Sequence, residues 1–153
     1  MLTGSELLHH NFAAWETQMT VHINKFRGIS YELKNQLRKQ GFYNSDQILE
    51  ATRTPDGRQS VAESLGVDYQ VVLKLANRAD LARVKGIGGI FSDLLEHAGV
   101  DTVRELANRR SDNLHARLLE INCEKELAGR VPTLKAVQDW VGQAGELPGM
   151  LEY

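Results

Sequence analysis

The chain has 153 residues, 42% of them hydrophobic and 25% charged, which is typical of a folded globular protein and allows one domain or two very small ones sharing a core. Its formal charge of −2 gives no overall signature for nucleic acid, membrane surfaces or acidic ligands. The single cysteine, Cys123, excludes an intrachain disulfide and a cysteine metal site.

The start of the chain lacks the basic end and the continuous apolar run of a secretory signal peptide. No apolar stretch approaches the ~20 residues needed to cross a bilayer. A lone thiol fits a reducing compartment. We therefore expect a cytoplasmic protein without a membrane span.

The first predicted element is an amphipathic N-terminal helix within residues 1–27. Its apolar residues are spaced by three or four positions, so they share one helical face. Two interpretations stay open: the face packs on the protein's own core, or it mediates self-association or binds a protein partner, with Phe12 and Trp15 as central contacts. The stripe continues as far as Phe26, and the predicted interface consists of Leu8, Phe12, Trp15, Met19 and Ile23.

Short helices punctuated by glycine and capping residues are predicted for the rest of the chain. Gly41 closes one helix, and Ser45 can cap the next. Thr54-Pro55-Asp56-Gly57 predicts a turn, which we take as a boundary. Later helices are predicted around residues 61–65, 68–76, 91–98, 102–107, 114–121 and 133–141. No segment alternates with a period of two, so the predicted fold is all-α with no sheet.

The chain repeats part of its own pattern at an offset of 58 residues. Both copies contain Gly-Ile, a helix, a closing glycine and a short capped helix, and each shared glycine marks a backbone requirement. We therefore predict tandem helix-hairpin-helix-like units, with 28–60 as a degenerate unit and 61–153 as the main domain. The matched pairs are Gly28 with Gly86, Ile29 with Ile87, Leu37 with Leu95, and Gly41 with Gly99.

The sequence Lys85-Gly86-Ile87-Gly88 before a helix has the form of a helix-hairpin-helix turn. Its glycines permit a tight reversal, and the amides near Gly88 and Gly89 would face outward at a helix N-terminus, where they can bind a phosphate oxygen. The same hairpin could equally be a packing corner or a protein contact.

Several features weaken the DNA interpretation. Gly89 and Ile90 stand where DNA-binding hairpins usually carry a lysine or arginine, and Ser30 replaces the second glycine in the first copy. The chain from Glu120 onward is acidic. Because duplex affinity depends on neutralising phosphates, binding should be weak for this chain alone. The predicted nucleic-acid contacts are Lys25, Arg27, Lys34, Arg38, Lys39, Lys85, Gly86, Gly88 and Gly89.

Residues 61–144 resemble a bacterial family of domains of unknown function, numbered 4332. The resemblance implies a helical domain of the helix-hairpin-helix type, and it brings no established catalytic residues. Under this resemblance the stretch before Gly28 is an addition that carries the protein's particular role. The segments that carry it are Ala79–Gly88, Leu94-Leu95, Ala98–Val103, Glu105–Ala107, Asn113–Ala116, Glu120–Asn122, Arg130–Thr133 and Trp140-Val141.

No pattern in the sequence predicts an enzyme, a metal site or a cofactor. The chain has no P-loop, serine elbow or dinucleotide fingerprint, and its five histidines lack converging ligands. We expect a non-enzymatic module for protein association or assembly. The alternative is sequence-independent DNA binding through the hairpin backbone and the basic strip.

Overall fold

A computed structural model describes residues 20–153. These residues form α-helices joined by short loops, which confirms the all-α prediction for this part of the chain. Pairing of β type among them is limited to one isolated bridge between His22 and Asn44. A 3-10 turn at Ile23–Lys25 precedes eight helices: α1 (Tyr31–Lys39), α2 (Ser45–Ala51), α3 (Pro55–Leu65), α4 (Tyr69–Leu81), α5 (Gly89–His97), α6 (Val103–Ala107), α7 (Ser111–Lys125) and α8 (Leu134–Glu146).

Two hydrophobic clusters form the interior, and α4 contributes to both. Leu75 and Ala79 of this helix pack with α1, α2 and the segment before α1, whereas Leu81 packs with α5 to α8. Both clusters therefore depend on the position of one helix. The aromatic centre of the second cluster is Trp140, whose ring lies 5.3 Å from that of Phe91.

The two segments related by 58 residues have matching local structure. Helix α5 begins and ends 58 residues after α1, at Gly89–His97 and Tyr31–Lys39. Gly28 and Gly86 both have positive φ, 76° and 95°, which L side chains rarely adopt. The repeat in the sequence therefore corresponds to a repeat in backbone conformation.

The next helix in each segment starts with the same reciprocal capping pattern. In α6, Thr102 Oγ1 accepts from the Glu105 amide at 3.2 Å, and Glu105 Oε2 accepts from the Asp101 amide at 3.0 Å. In α2, Asn44 and Gln47 make the equivalent pair of bonds, at 3.0 and 2.7 Å. Each set satisfies amides that the first helical turn leaves without partners.

Arg78 on α4 joins the two segments. Its side chain is 8% exposed, and Nη2 lies 2.9 Å from Asp93 Oδ1 and 2.6 Å from Glu96 Oε2 on α5. The same nitrogen lies against Gly28, where a Cβ carbon would approach it to 3.0 Å. One buried cation therefore fixes α5 relative to the turn before α1.

The C-terminal segment, residues 147–153, crosses back over both clusters. Buried Arg58 donates to the Glu152 carbonyl at 2.5 Å, and buried Arg83 donates to the Pro148 carbonyl at 2.8 Å. The Tyr153 hydroxyl donates to Asn77 on α4 at 3.0 Å. These bonds tie the segment to helices from both halves.

Two local predictions were wrong. The N-terminal helix does not extend through Ile23 and Phe26, because Val21 pairs with Ser45 in extended backbone and Ile23 begins the 3-10 turn. Ile23 is 0% exposed, so it belongs to the core and cannot form part of an exposed interface. Leu8, Phe12, Trp15 and Met19 lie outside the described residues.

The predicted turn at 54–57 is instead the start of α3. Thr54 Oγ1 accepts from the Gly57 amide at 3.0 Å, and Pro55 occupies the first helical position, where its missing N–H costs nothing. The boundary predicted between residues 60 and 61 falls inside this helix, which packs on α4. Helix α3 thus joins residues 28–60 to the rest of the fold without a break.

Candidate nucleic-acid interface

A cleft of about 920 Å³ lies where the two repeated segments meet. One wall is the extended segment and 3-10 turn before α1. Another is the turn that begins α5, and a third is the loop between α7 and α8. The residues that line it are Thr20, Val21, His22, Asn24, Lys25, Phe26, Arg27, Lys34, Gly86, Gly88, Gly89, Ile90, Phe91, Ala128, Gly129 and Arg130.

The lysines and arginines that line the cleft are Lys25, Arg27, Lys34 and Arg130, and no carboxylate of residues 20–153 lines it. None of the four forms an ion pair with a carboxylate within the same residues. Lys34 Nζ donates to the Asn24 carbonyl at 3.3 Å, which holds it at the edge of the 3-10 turn. A chain of net charge −2 therefore concentrates positive charge in one concave place.

The start of α5 contributes backbone donors to the same cleft. Its N-cap residue, Gly88, is extended at φ −94° and has no side chain to accept from the first-turn amides. At the equivalent start of α1, Ser30 Oγ accepts from the Leu33 amide at 3.1 Å. Among residues 20–153, nothing lies within 4 Å of the place where a Gly88 Cβ would be, so this backbone is open to an incoming group.

The structure brings together most of the nucleic-acid contacts predicted from the sequence. Arg38 does not line the cleft, and its guanidinium donates to the side-chain oxygens of Asn24 and Asn35. Lys39 and Lys85 are exposed but do not line the cleft either. The predicted residues that do line it are Lys25, Arg27, Lys34, Gly86, Gly88 and Gly89.

Two cleft residues were missed by the sequence analysis. His22 and Arg130 both line it, although they are 108 positions apart in the chain. Arg130 follows an acidic stretch and matches no motif, so only the packing of α7 and α8 on the second cluster brings it here. His22 is exposed, and its Nδ1 accepts from the Asn24 amide at 3.2 Å.

The titratable groups with shifted pKa values do not form a reactive cluster near the cleft. Burial raises the pKa of Asp101, and the nearby carboxylates of Glu105 and Glu96 add to this effect. Burial also raises the pKa of the Tyr153 phenol. Neither residue lines the cleft, and residues 20–153 contain no group of three metal-ligating side chains.

The fold and the cleft define an all-helical protein with two similar segments around one basic concavity. The chain belongs to the family described as Domain of unknown function (DUF4332), whose model matches residues 27–147. This match starts well before residue 61, where the resemblance seen in the sequence began. No curated protein and no solved structure matches the chain. Within residues 20–153, no helix has the length and apolarity that crossing a bilayer requires.

Proposed function

We propose that this protein binds nucleic acid through the cleft, by contacts to the sugar–phosphate backbone and without sequence preference. The observation that carries the proposal is the convergence of four cations and the open start of α5 on one concavity, which no carboxylate of the described chain lines. Phosphate contacts give affinity and register, whereas sequence is read from base edges.

Each part of the cleft has a role in this proposal. Lys25, Arg27 and Arg130 are exposed and can move toward successive phosphates, while Lys34 is half-buried and more fixed. The amides at the start of α5 bind one phosphate oxygen, with the favourable end of the helix dipole behind them. The two aromatic rings of the cleft are unsuited to base stacking, since Phe26 is buried and Phe91 packs on Trp140.

The proposal includes the nature of the repeat. We infer that the two segments are tandem helix-hairpin-helix units, of which only the second retains an uncapped helix start. The matched positive φ angles of Gly28 and Gly86 support this inference, as do the matched capping patterns of α2 and α6. The first unit then supplies cations, and the second supplies backbone donors.

A salt titration tests the proposed function. A fluorescently labelled duplex is titrated with protein at several salt concentrations, and log affinity is plotted against log salt. Four phosphate contacts predict a slope of about −3.6 for duplex DNA, and two duplexes of unrelated sequence should give the same affinity. Absence of binding at low salt would overturn the proposal, and a large difference between the two duplexes would overturn sequence independence.

The second candidate function is protein association through the N-terminal stripe. The observation in its favour is the regular three-four spacing of Leu8, Phe12, Trp15 and Met19 in a segment before the family match. Aromatic residues dominate interface energetics, so Phe12 and Trp15 would be the main contacts. This function is compatible with the cleft, because it uses a different part of the chain.

Light scattering tests the association. The unaltered protein should have more than the mass of one chain, and Phe12→Ala with Trp15→Ala should return it to monomer mass with its helical circular dichroism intact. A monomeric native protein whose double variant unfolds would show that the stripe is core. Binding of a different protein, rather than self-association, would require the stripe to pull down that partner and the double variant to lose it.

A further inference from the structure

We propose that Arg130 is a ligand contact of the cleft and that Asn122 is the residue that positions it. The inference rests on the proposed function, since it assigns a wall of the same cleft. It names a side chain on α7 that does not line the cleft and lies eight positions before the arginine it would control.

The side-chain amide of Asn122 binds the α7–α8 loop at both ends of one residue. Its Nδ2 donates to the Ala128 carbonyl at 3.0 Å, and its Oδ1 accepts from the Ala128 amide at 2.8 Å. These paired bonds reproduce the donor and acceptor pattern of a neighbouring backbone strand. Ala128 is buried, so the loop is fixed at this point while Gly129 and Arg130 stay exposed.

The bonded residue is two positions from the cation. Beyond Ala128 the chain passes through Gly129, where no other described residue comes within 4 Å of the Cβ position, and then reaches Arg130. A second tether lies on the far side, where His115 Nε2 lies 3.1 Å from the Pro132 carbonyl. Between these two anchors the loop directs Arg130 into the cleft.

Without the Asn122 bonds the loop would lose its nearer anchor. The Arg130 charge would then be distributed over many loop conformations, and ordering it on a phosphate would cost conformational entropy. Asn122→Ala should therefore weaken binding in the same way as Arg130→Ala, although Asn122 touches no ligand.

The test measures duplex affinity against salt for Asn122→Ala, Arg130→Ala and the double variant, with thermal melting to establish that each is folded. Arg130→Ala should reduce the steepness of the salt slope by about 0.9, and Arg130→Lys should restore it. Asn122→Ala should produce most of the same reduction, and the double variant should bind no worse than Arg130→Ala. Asn122→Ser, which also loses both bonds but keeps a polar group, replaces Asn122→Ala if that variant does not fold.

Matched controls remove similar groups from the same helix. Arg117→Ala removes an exposed arginine that pairs with Glu120 at 3.2 Å, and Asn113→Ala removes an exposed asparagine. Neither residue lines the cleft, so both variants should bind like the unaltered protein.

The outcomes separate this inference from the proposed function. If the unaltered protein binds with a steep salt slope but Arg130→Ala matches Arg117→Ala, Arg130 is no contact and the inference fails alone. If Asn122→Ala keeps the full slope, or if it weakens binding further in the Arg130→Ala background, Asn122 does not act through Arg130. If the unaltered protein binds no duplex at low salt, the proposed function fails and this inference with it.

Discussion

Gly89 lies against the backbone of Lys25 so closely that a Cβ carbon on Gly89 would be 1.5 Å from the Lys25 carbonyl oxygen. This contact joins the first residue of α5 to the 3-10 turn before α1. It therefore sets the distance between the cations of the first segment and the backbone donors of the second.

Gly89→Ala should destabilise the protein strongly. The neighbouring atom is a backbone oxygen, so no side-chain rearrangement can relieve the overlap and α5 must move. We expect a loss of at least about 3 kcal/mol in the free energy of unfolding, measured by urea denaturation. Gly88→Ala is the control, since no other described residue comes within 4 Å of its Cβ position and its φ suits alanine, and it should cost less than about 1 kcal/mol. Equal stability of the two variants would contradict the close contact.

Arg78→Ala should cost about 3 kcal/mol in the free energy of unfolding. It would leave Asp93 and Glu96, which are largely buried, without the cation that both contact. Lys74→Ala is the control, because Lys74 is exposed and lies 3.6 Å from the same Glu96, and it should cost less than about 0.5 kcal/mol. Thermal or urea unfolding of both variants makes the comparison, and a cost for Arg78→Ala no greater than that for Lys74→Ala would show that the buried pair is unimportant.

Asp101→Asn should stabilise the protein at neutral pH. Burial and the carboxylates of Glu105 and Glu96 raise the pKa of Asp101 in the folded state, so its ionised form is unfavourable there. The folded protein holds the proton more tightly than the unfolded chain, and the penalty on wild type therefore disappears as the pH falls through the raised pKa. The gain should be below about 1 kcal/mol at pH 7, because solvent screens a half-exposed group.

Urea denaturation of both proteins between pH 3 and pH 7 measures this difference. The advantage of Asp101→Asn should shrink as the pH falls. An advantage that grows toward acid pH would have the wrong sign and would contradict the raised pKa.

Single alanine substitutions should distinguish cleft lysines and arginines from other basic residues. Lys25→Ala, Arg27→Ala and Lys34→Ala should each weaken duplex binding for every sequence and reduce the steepness of the salt slope by about 1. Lys39→Ala and Lys85→Ala remove the same charge outside the cleft and should have much smaller effects. If all five variants weaken binding equally, the protein attracts nucleic acid by diffuse charge and not through the cleft.

The sequence was sufficient to predict the helical class and the 58-residue repeat, because both depend on local signals. Gly28, Gly41, Gly86 and Gly99 all have positive φ, and their spacing marks the same turns in both copies. The basic strip was also found, since its residues are close in sequence. The sequence did not predict where Arg130 lies, because that depends on how α7 and α8 pack on the second cluster.

Other errors came from signals that two structures share. Thr54-Pro55 is typical of a turn and equally typical of a capped helix start, and only the bond to Gly57 distinguishes them. Ile23 continues the apolar spacing of the preceding helix, yet it is buried beside the bridge that pairs His22 with Asn44. Buried Arg58 was not anticipated, because its partners include the Glu152 carbonyl, far along the chain.

The contact between Gly89 and Lys25 is also one that could in principle be repeated from molecule to molecule, since it joins the helix start of one unit to the turn of the other. Contacts of this kind produce open filaments when nothing stops them. Position 31, equivalent to Gly89, carries the bulky and 76% exposed Tyr31, and position 83, equivalent to Lys25, is buried beneath the Pro148 carbonyl. A neighbouring molecule would therefore meet an aromatic ring at one end and the C-terminal segment at the other. The series stops at two units, and the protein is protected from polymerising through its own repeat.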